Sequence, residues 1–168
     1  MNRSMQRVGG CSLLLLAGLT YSAGAQMPAA DSMAVPGIIP TGFGESVDRD
    51  VARVRAATAK FKVMDVAIAE GYPRTTDCVQ NPPHGAMGFH FQNNALLDTT
   101  LEVEKPEVLV YERMPDGTFK LNGVEFLVPI SAWTAAEPPR IIGHALKKAD
   151  GLGIWYLPVW TWEPSPSG

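Results

Sequence analysis

The clearest pattern in the chain is a run of apolar residues spaced by three and four positions in its first half. This spacing places the apolar side chains on one face of an α-helix. Ser46 can cap the start of that helix, while Gly71 and Pro73 end it. The sequence therefore predicts one long amphipathic helix of about 24 residues. Its apolar positions are Val47, Val51, Val54, Thr58, Phe61, Met64 and Ile68.

The second half of the chain changes to a two-residue period, which is typical of β-strands. Between Met87 and Gln92, Phe89 and Phe91 share one face and His90 lies on the other. Two β-rich runs follow within residues 107–128 and flank the turn sequence MPDG at residues 114–117. Proline at the second turn position and a glycine able to adopt the left-handed conformation predict a hairpin here.

The hairpin also predicts which residues face each other. With Met114 opposite Thr118, unbroken pairing places Glu112 opposite Lys120, as a cross-strand ion pair, and Val108 opposite Val124. The same register places Glu125 on one face with four other side chains, of which Tyr111 is its expected polar neighbour. That face collects Leu109, Tyr111, Leu121, Glu125 and Leu127.

The rest of the second half predicts weaker strands. Residues 141–146 are a short strand candidate, residues 147–153 a turn, and residues 154–162 a last aromatic strand. Pro158 inside that strand favours an edge position or a bulge. Because the helix and the strands are segregated along the chain, we predict an α+β fold. One long N-terminal helix packs on an antiparallel sheet of about four or five strands.

The N-terminus has the pattern of a secretory signal peptide. Arg3 and Arg7 precede a short apolar stretch at residues 13–19, and Ala23-Gly24-Ala25 is a cleavage sequence. We predict a signal peptide at 1–25, a Pro/Gly-rich linker at 26–45, one domain at 46–163 and a tail at 164–168. The protein is then exported, periplasmic or secreted, with no transmembrane segment in the mature chain.

Charge and cysteine content narrow the expected partners. Net charge falls from −3 to −5 in the mature chain, because both charges lost are arginines. Mild acidity without a basic cluster argues against nucleic acid or an anionic membrane surface as a partner. The expected partner is a small-molecule ligand or an envelope protein. Only Cys78 survives processing, so no internal disulfide forms, and a small buried hydrophobe is the favoured interpretation of that thiol.

The candidate chemistry concentrates in a few side chains. His84 and His90 are possible ligands of a transition metal, although their spacing from each other and from Cys78 matches no closed zinc motif. His90 and Glu125 are the candidate catalytic residues, because a carboxylate among leucines must be paired or have a raised pKa. A ligand-binding site would consist of His90, Tyr111, Glu125, Trp155 and Trp160.

Three functions follow from these candidates. The first is an exported binding module for a small molecule or a metal, and the second is an envelope interaction domain whose polar residues are structural. The third is a small acid–base enzyme that uses His90 and Glu125. Motifs of nucleotide binding, serine hydrolases and zinc proteases are absent from the sequence. Neither an activity nor a cofactor is therefore assigned.

Several segments together resemble a family of small exported bacterial proteins of uncharacterised function. They are AIAEGY at 67–72, GAMGFHFQN at 85–93, PEVLVYE at 106–112, DGTFKLNGVEFLVP at 116–129 and WTWEPSPSG at 160–168. The family is similar in its Gly-Met-Gly-aromatic-His stretch and in the Tyr-Glu and Gly-Val-Glu strands that follow. The resemblance covers residues 51–168, so it implies the domain boundaries and carries no activity with it.

Overall fold

A computed structural model describes residues 39–80 and 85–164. The predicted signal peptide, most of the predicted linker, His84 and residues 165–168 lie outside these ranges. The described chain has an α+β fold, in which a helical region precedes a six-stranded antiparallel sheet. The coarse fold class is therefore confirmed.

The helical region is interrupted, so the prediction of one continuous helix is wrong. Helix α1 spans Glu45–Thr58, a 3₁₀ turn spans Ala59–Lys62, and helix α2 spans Met64–Ala69. Val63 between them is extended, with φ −94° and ψ 103°. The break follows buried Thr58, whose hydroxyl donates to the Val54 carbonyl at 2.7 Å, a contact that often bends helices.

The interruption changes which side chains are buried. The predicted stripe is buried as far as Phe61. Beyond the extended residue the helical phase is reset, so Ala67 is buried whereas Ile68 is 46% exposed. The periodicity of three and four residues therefore predicted α1 and failed for α2.

The sheet contains more strands than the four or five predicted. Its order is β1-β2-β3-β4-β8-β7, with every neighbouring pair antiparallel. The short strands β5 and β6 form a separate pair. The strands are β1 (Val79–Gln80), β2 (Ala86–Gln92), β3 (Val108–Arg113), β4 (Phe119–Pro129), β5 (Arg140–Ile141), β6 (His144–Ala145), β7 (Lys147–Ala149) and β8 (Ile154–Val159).

A β-bulge in the hairpin decides the faces of the sheet. Near the turn, Tyr111 lies opposite Leu121 and Glu112 opposite Lys120, as predicted. Asn122 is then the extra residue, and beyond it Val110 lies opposite Gly123. A shift of one residue exchanges the two faces of a strand. The predicted pairing of Val108 with Val124 is therefore wrong.

The bulge turns apolar residues of β4 towards the helix. Val124, Phe126 and Val128 join the main core together with Val51, Val54 and Phe61 from the helical region. Glu125 and Leu127 point to the opposite face, where Leu127 packs with Val108 and Val110. The predicted sharing of a face by Glu125 and Tyr111 is thus also wrong.

The last part of the chain places Pro158 where a proline is tolerated. Strand β7 pairs with β8 only between Ile154 and Tyr156, so Pro158 has a strand neighbour on the β4 side alone. This is the edge position that the sequence predicted. Residues 147–149, predicted as part of a turn, form strand β7 instead.

Candidate functional site

His90 lies in the middle of β2 on the sheet face opposite the helix. Its main chain and its ring both contact the segment that precedes β1. The His90 N–H donates to the Thr76 hydroxyl at 3.1 Å, and the His90 carbonyl accepts from the Thr75 N–H at 2.9 Å. The ring Nδ1 lies 3.2 Å from the same Thr76 oxygen. These contacts hold the imidazole against the segment that precedes β1.

Glu125 reaches the same place from β4. Its Oε2 lies 3.4 Å from His90 Nε2, and the two residues are 6% and 7% exposed. The apolar side chains of Val108, Val110 and Leu127 share this face of the sheet. The sequence therefore selected two side chains that the structure brings into contact, by way of a register that it did not predict.

Burying the His90 and Glu125 side chains has a cost in free energy. Moving a carboxylate and an imidazole out of water is unfavourable, and their mutual attraction offsets this only with good hydrogen bonds. His90 has polar partners at both ring nitrogens, Thr76 at one and Glu125 at the other. The three side chains together form a continuous polar chain that starts at half-buried Thr76 and ends inside the sheet.

Gly88 does not leave room for a ligand beside His90. It has φ +114°, and a Cβ atom there would lie 2.6 Å from the Tyr111 carbonyl oxygen and 3.2 Å from the Val110 side chain. The glycine at this position therefore permits a close approach of two backbones and does not provide space for a ligand.

Tyr111 and Trp155 lie away from the His90–Glu125 pair. The Tyr111 hydroxyl donates to the Phe61 carbonyl at 2.6 Å in the core under the helix, and burial raises the pKa of that phenol. Trp155 lies opposite Val128 and packs against the same core. The two side chains belong to the helix-covered face, whereas His90 and Glu125 belong to the other.

Trp160 lies closer to the pair. It lines a shallow apolar crevice with Met87, Val110 and Pro158. Pro158 lies opposite Glu125 in the ladder, and Val110 lies opposite His90. In its present shape this crevice has no space for a water molecule. Trp160 is therefore the one predicted tryptophan that borders the sheet face of the pair.

The described residues do not assemble a metal centre. No group of three His, Cys, Asp or Glu side chains suited to a metal ion occurs within residues 39–80 and 85–164. His84 lies outside those ranges. Cys78 is exposed, so the interpretation of this thiol as a buried hydrophobe is wrong.

Glu107 is a buried titratable residue that sequence reasoning missed. It is 1% exposed, and its Oε2 accepts from the Leu127 N–H at 2.9 Å. Strand β4 continues past the last β3 pair at Val108–Glu125, so the Glu107 carboxyl replaces a missing strand partner. Burial raises its pKa to about 7, and the nearby carboxylates of Asp98 and Glu102 add to that rise. The sequence indicated this burial only through the position of a charged residue next to Pro106.

Comparisons with protein-family models, curated proteins and solved structures found no match to this chain. Among the helices in the described ranges, none is long and apolar enough to cross a bilayer. The function is therefore inferred from the geometry of the site.

Proposed function

We propose that this chain is an exported small-molecule-binding module in which His90 and Glu125 supply the polar groups of the site. The observation that carries the proposal is the 3.4 Å contact between the two side chains beside the apolar cluster of Val108, Val110 and Leu127. A well-packed apolar pair could replace such a buried ionisable pair at little or no cost in stability. A role in ligand binding therefore explains these residue types better than a contribution to stability does.

The surroundings of the pair suggest the chemistry of the ligand. A carboxylate accepts hydrogen bonds, and the half-buried Thr76 hydroxyl can both donate and accept. The adjoining crevice is lined by Met87 and Trp160, which suit an apolar or aromatic group. We expect a small ligand with one hydrogen-bond donor and one ring or branched apolar group. Binding requires the half-buried Met87 and Trp160 side chains to move apart.

The same residues are compatible with two alternative functions. An envelope interaction domain is favoured by the low exposure of His90 and Glu125, which suits a structural pair. A small acid–base enzyme is favoured by the contact between the His90 ring and the Thr76 hydroxyl, since a base within reach of a hydroxyl can take its proton. If the bound species were a transition metal, His84 or Cys78 would join His90 as its ligands.

The first experiment is native mass spectrometry with metal analysis on protein purified from the exporting cell. We expect a chain that begins at Gln26 and carries a stoichiometric small molecule. A chain that keeps residues 1–25 would contradict export by signal cleavage. A bound metal in place of an organic ligand would support the metal-binding form of the proposal.

A fragment screen by protein NMR then tests the site. Fragments that combine a donor with an aromatic ring should shift the amide signals of His90, Glu125 and Trp160. His90→Ala should abolish these shifts while the fold is kept. His144→Ala is the matched control, because His144 stacks on Phe43 and is not among the residues that contact His90 or Glu125. Equal binding by wild type and His90→Ala would refute the site.

A further inference from the structure

Thr76, His90 and Glu125 form a hydroxyl–imidazole–carboxylate chain. Thr76 Oγ1 lies 3.2 Å from His90 Nδ1, and His90 Nε2 lies 3.4 Å from Glu125 Oε2. A nucleophile bonded to a base, with the base oriented by a third group, is the arrangement that activates hydroxyl nucleophiles. Here the two ring nitrogens have exchanged partners relative to the familiar serine triad. Because either nitrogen can accept a proton, this exchange leaves the chemistry unchanged.

Exposure also separates the roles of the three side chains. Thr76 is half-buried, whereas His90 and Glu125 are less than a tenth exposed. Thr76 is therefore the most exposed of the three residues and the one best placed to meet a substrate. Its position is held from two sides, because Thr75 bonds the His90 carbonyl and Thr76 accepts from the His90 N–H. That N–H holds the Thr76 oxygen beside the imidazole of the same residue.

We infer that Thr76 is the nucleophile of an acyl-transfer site, with His90 as its base and Glu125 as the residue that positions the imidazole. The substrate class is a small carboxylic ester. This inference rests on the same site as the proposed binding function and adds a covalent step to it.

The acyl transfer requires no cofactor. Thr76 Oγ1 attacks the ester carbonyl carbon while its proton passes to His90 Nδ1. The bond from carbonyl carbon to leaving oxygen then breaks, and that oxygen takes the proton from His90. The products are an acyl ester of Thr76 and the free alcohol. Water, activated by the same imidazole, releases the acid and restores the hydroxyl. Glu125 stabilises the imidazolium that forms between these transfers.

The backbone next to Thr76 can stabilise the oxyanion. The N–H of the residue after a nucleophile is a common donor to the tetrahedral intermediate. The Asp77 N–H directly follows Thr76 and makes no hydrogen bond to another residue within 39–80 and 85–164. It can therefore donate to an ester oxygen held at the Thr76 hydroxyl.

The test uses p-nitrophenyl acetate with the full exported chain. Cys78 is exposed and two residues from Thr76, so its thiol would also react. The reference protein is therefore Cys78→Ser. We expect a burst of p-nitrophenolate that is stoichiometric with protein, and peptide mapping should place one acetyl group on Thr76. Acetylation confined to lysines, or none at all, in folded Cys78→Ser would overturn the inference.

Variants in the Cys78→Ser background separate a reactive role from a structural one. Thr76→Val should lose the burst, and Thr76→Ser should restore it. His90→Gln should slow acylation by about 10²–10⁴-fold, the usual contribution of a general base. Glu125→Gln should slow it as well, and His144→Gln should leave it unchanged. An equal burst from Thr76→Val, or an unchanged rate in His90→Gln, would overturn the inference.

Different results would refute the binding function and the acyl-transfer inference. If fragments bind at His90 but Thr76 is not acetylated, the binding function stands and the acyl-transfer inference fails. If Thr76 is acetylated in a His90-dependent manner while no fragment binds, the inference stands and the binding module is refuted.

Discussion

Glu107→Gln tests whether a buried carboxyl makes the stability of the domain depend on pH. Glutamine has nearly the same shape as protonated glutamate, and its side-chain oxygen can still accept from the Leu127 N–H. The substitution removes only the ability to ionise. Because the Glu107 side chain is almost fully buried, ionisation in the folded state leaves a charge with little hydration.

The magnitude follows from the shift in pKa. Folding raises the pKa of Glu107 from 4.5 to about 7, and each unit corresponds to 1.36 kcal/mol. Between these values the folded protein binds more protons than the unfolded chain, so its stability falls as pH rises. This contribution is complete below pH 4.5 and is lost as pH rises through 7. The expected loss is about 3 kcal/mol.

The assay is urea unfolding followed by circular dichroism at intervals from pH 4.5 to 8.5. Near pH 4.5 the wild type and Glu107→Gln should have similar free energies of unfolding. By pH 8.5 the variant should be about 3 kcal/mol more stable than the wild type. Other titrating groups contribute to both proteins and cancel in the difference. Glu137→Gln, at an exposed carboxylate, should follow the wild type at every pH.

A pH-independent difference between wild type and Glu107→Gln would refute the reasoning. It would mean that Glu107 ionises without penalty, through solvent that enters the adjacent cavity. That cavity has a volume of about 40 Å³ and is lined by Asp98, Thr100 and Glu102 among others.

Three further substitutions test the packing around the site by the same unfolding assay. Gly88→Ala should destabilise the fold by about 1–3 kcal/mol, because the positive φ and the Tyr111 carbonyl both oppose a Cβ atom. Gly151→Ala, with open space around it, is the control and should be close to neutral. Equal effects of the two substitutions would contradict the clash at Gly88. Tyr111→Phe should cost about 1–3 kcal/mol by leaving the buried Phe61 carbonyl unpaired, and an unchanged midpoint would contradict that bond. Phe126→Ala should cost about 3–5 kcal/mol, and a loss below 1 kcal/mol would mean that Phe126 is not a core residue.

The residue types at positions 114–117 were sufficient to predict the hairpin turn. Gly117 adopts φ +87°, and the Met114 N–H donates to the Thr118 carbonyl at 2.8 Å, as expected for the turn sequence. The pairing of Glu112 with Lys120 followed from that turn. The expected ion pair between them did not, because Lys120 reaches Glu163 at 2.6 Å instead. A turn determines the positions of opposing residues, but it does not determine the partners of long side chains.

The position of Glu125 was decided by contacts distant in sequence. A Cβ atom on Gly123 would lie 2.6 Å from the Val159 carbonyl, so β8 packs closely against the bulge. The bulge moves Glu125 from the predicted face with Tyr111 to the face of His90. The sequence selected Glu125 from a predicted register that the structure does not show, and His90 from its residue type and its position in β2. Thr76 was not selected, because a threonine in a loop carries no signal of its distance to a histidine.

The sequence by itself determined the α+β class, the helix α1, the alternation of Phe89, His90 and Phe91 in β2 and the hairpin turn, because each depends on neighbours within a few residues. Tertiary structure decided the break at Val63, the register beyond Asn122, the burial of Glu107 and the contact between His90 and Glu125. Each of these depends on which segments pack against one another. The physical reason is that periodicity describes one isolated segment, whereas a one-residue bulge or a desolvated carboxyl depends on the backbone beside it.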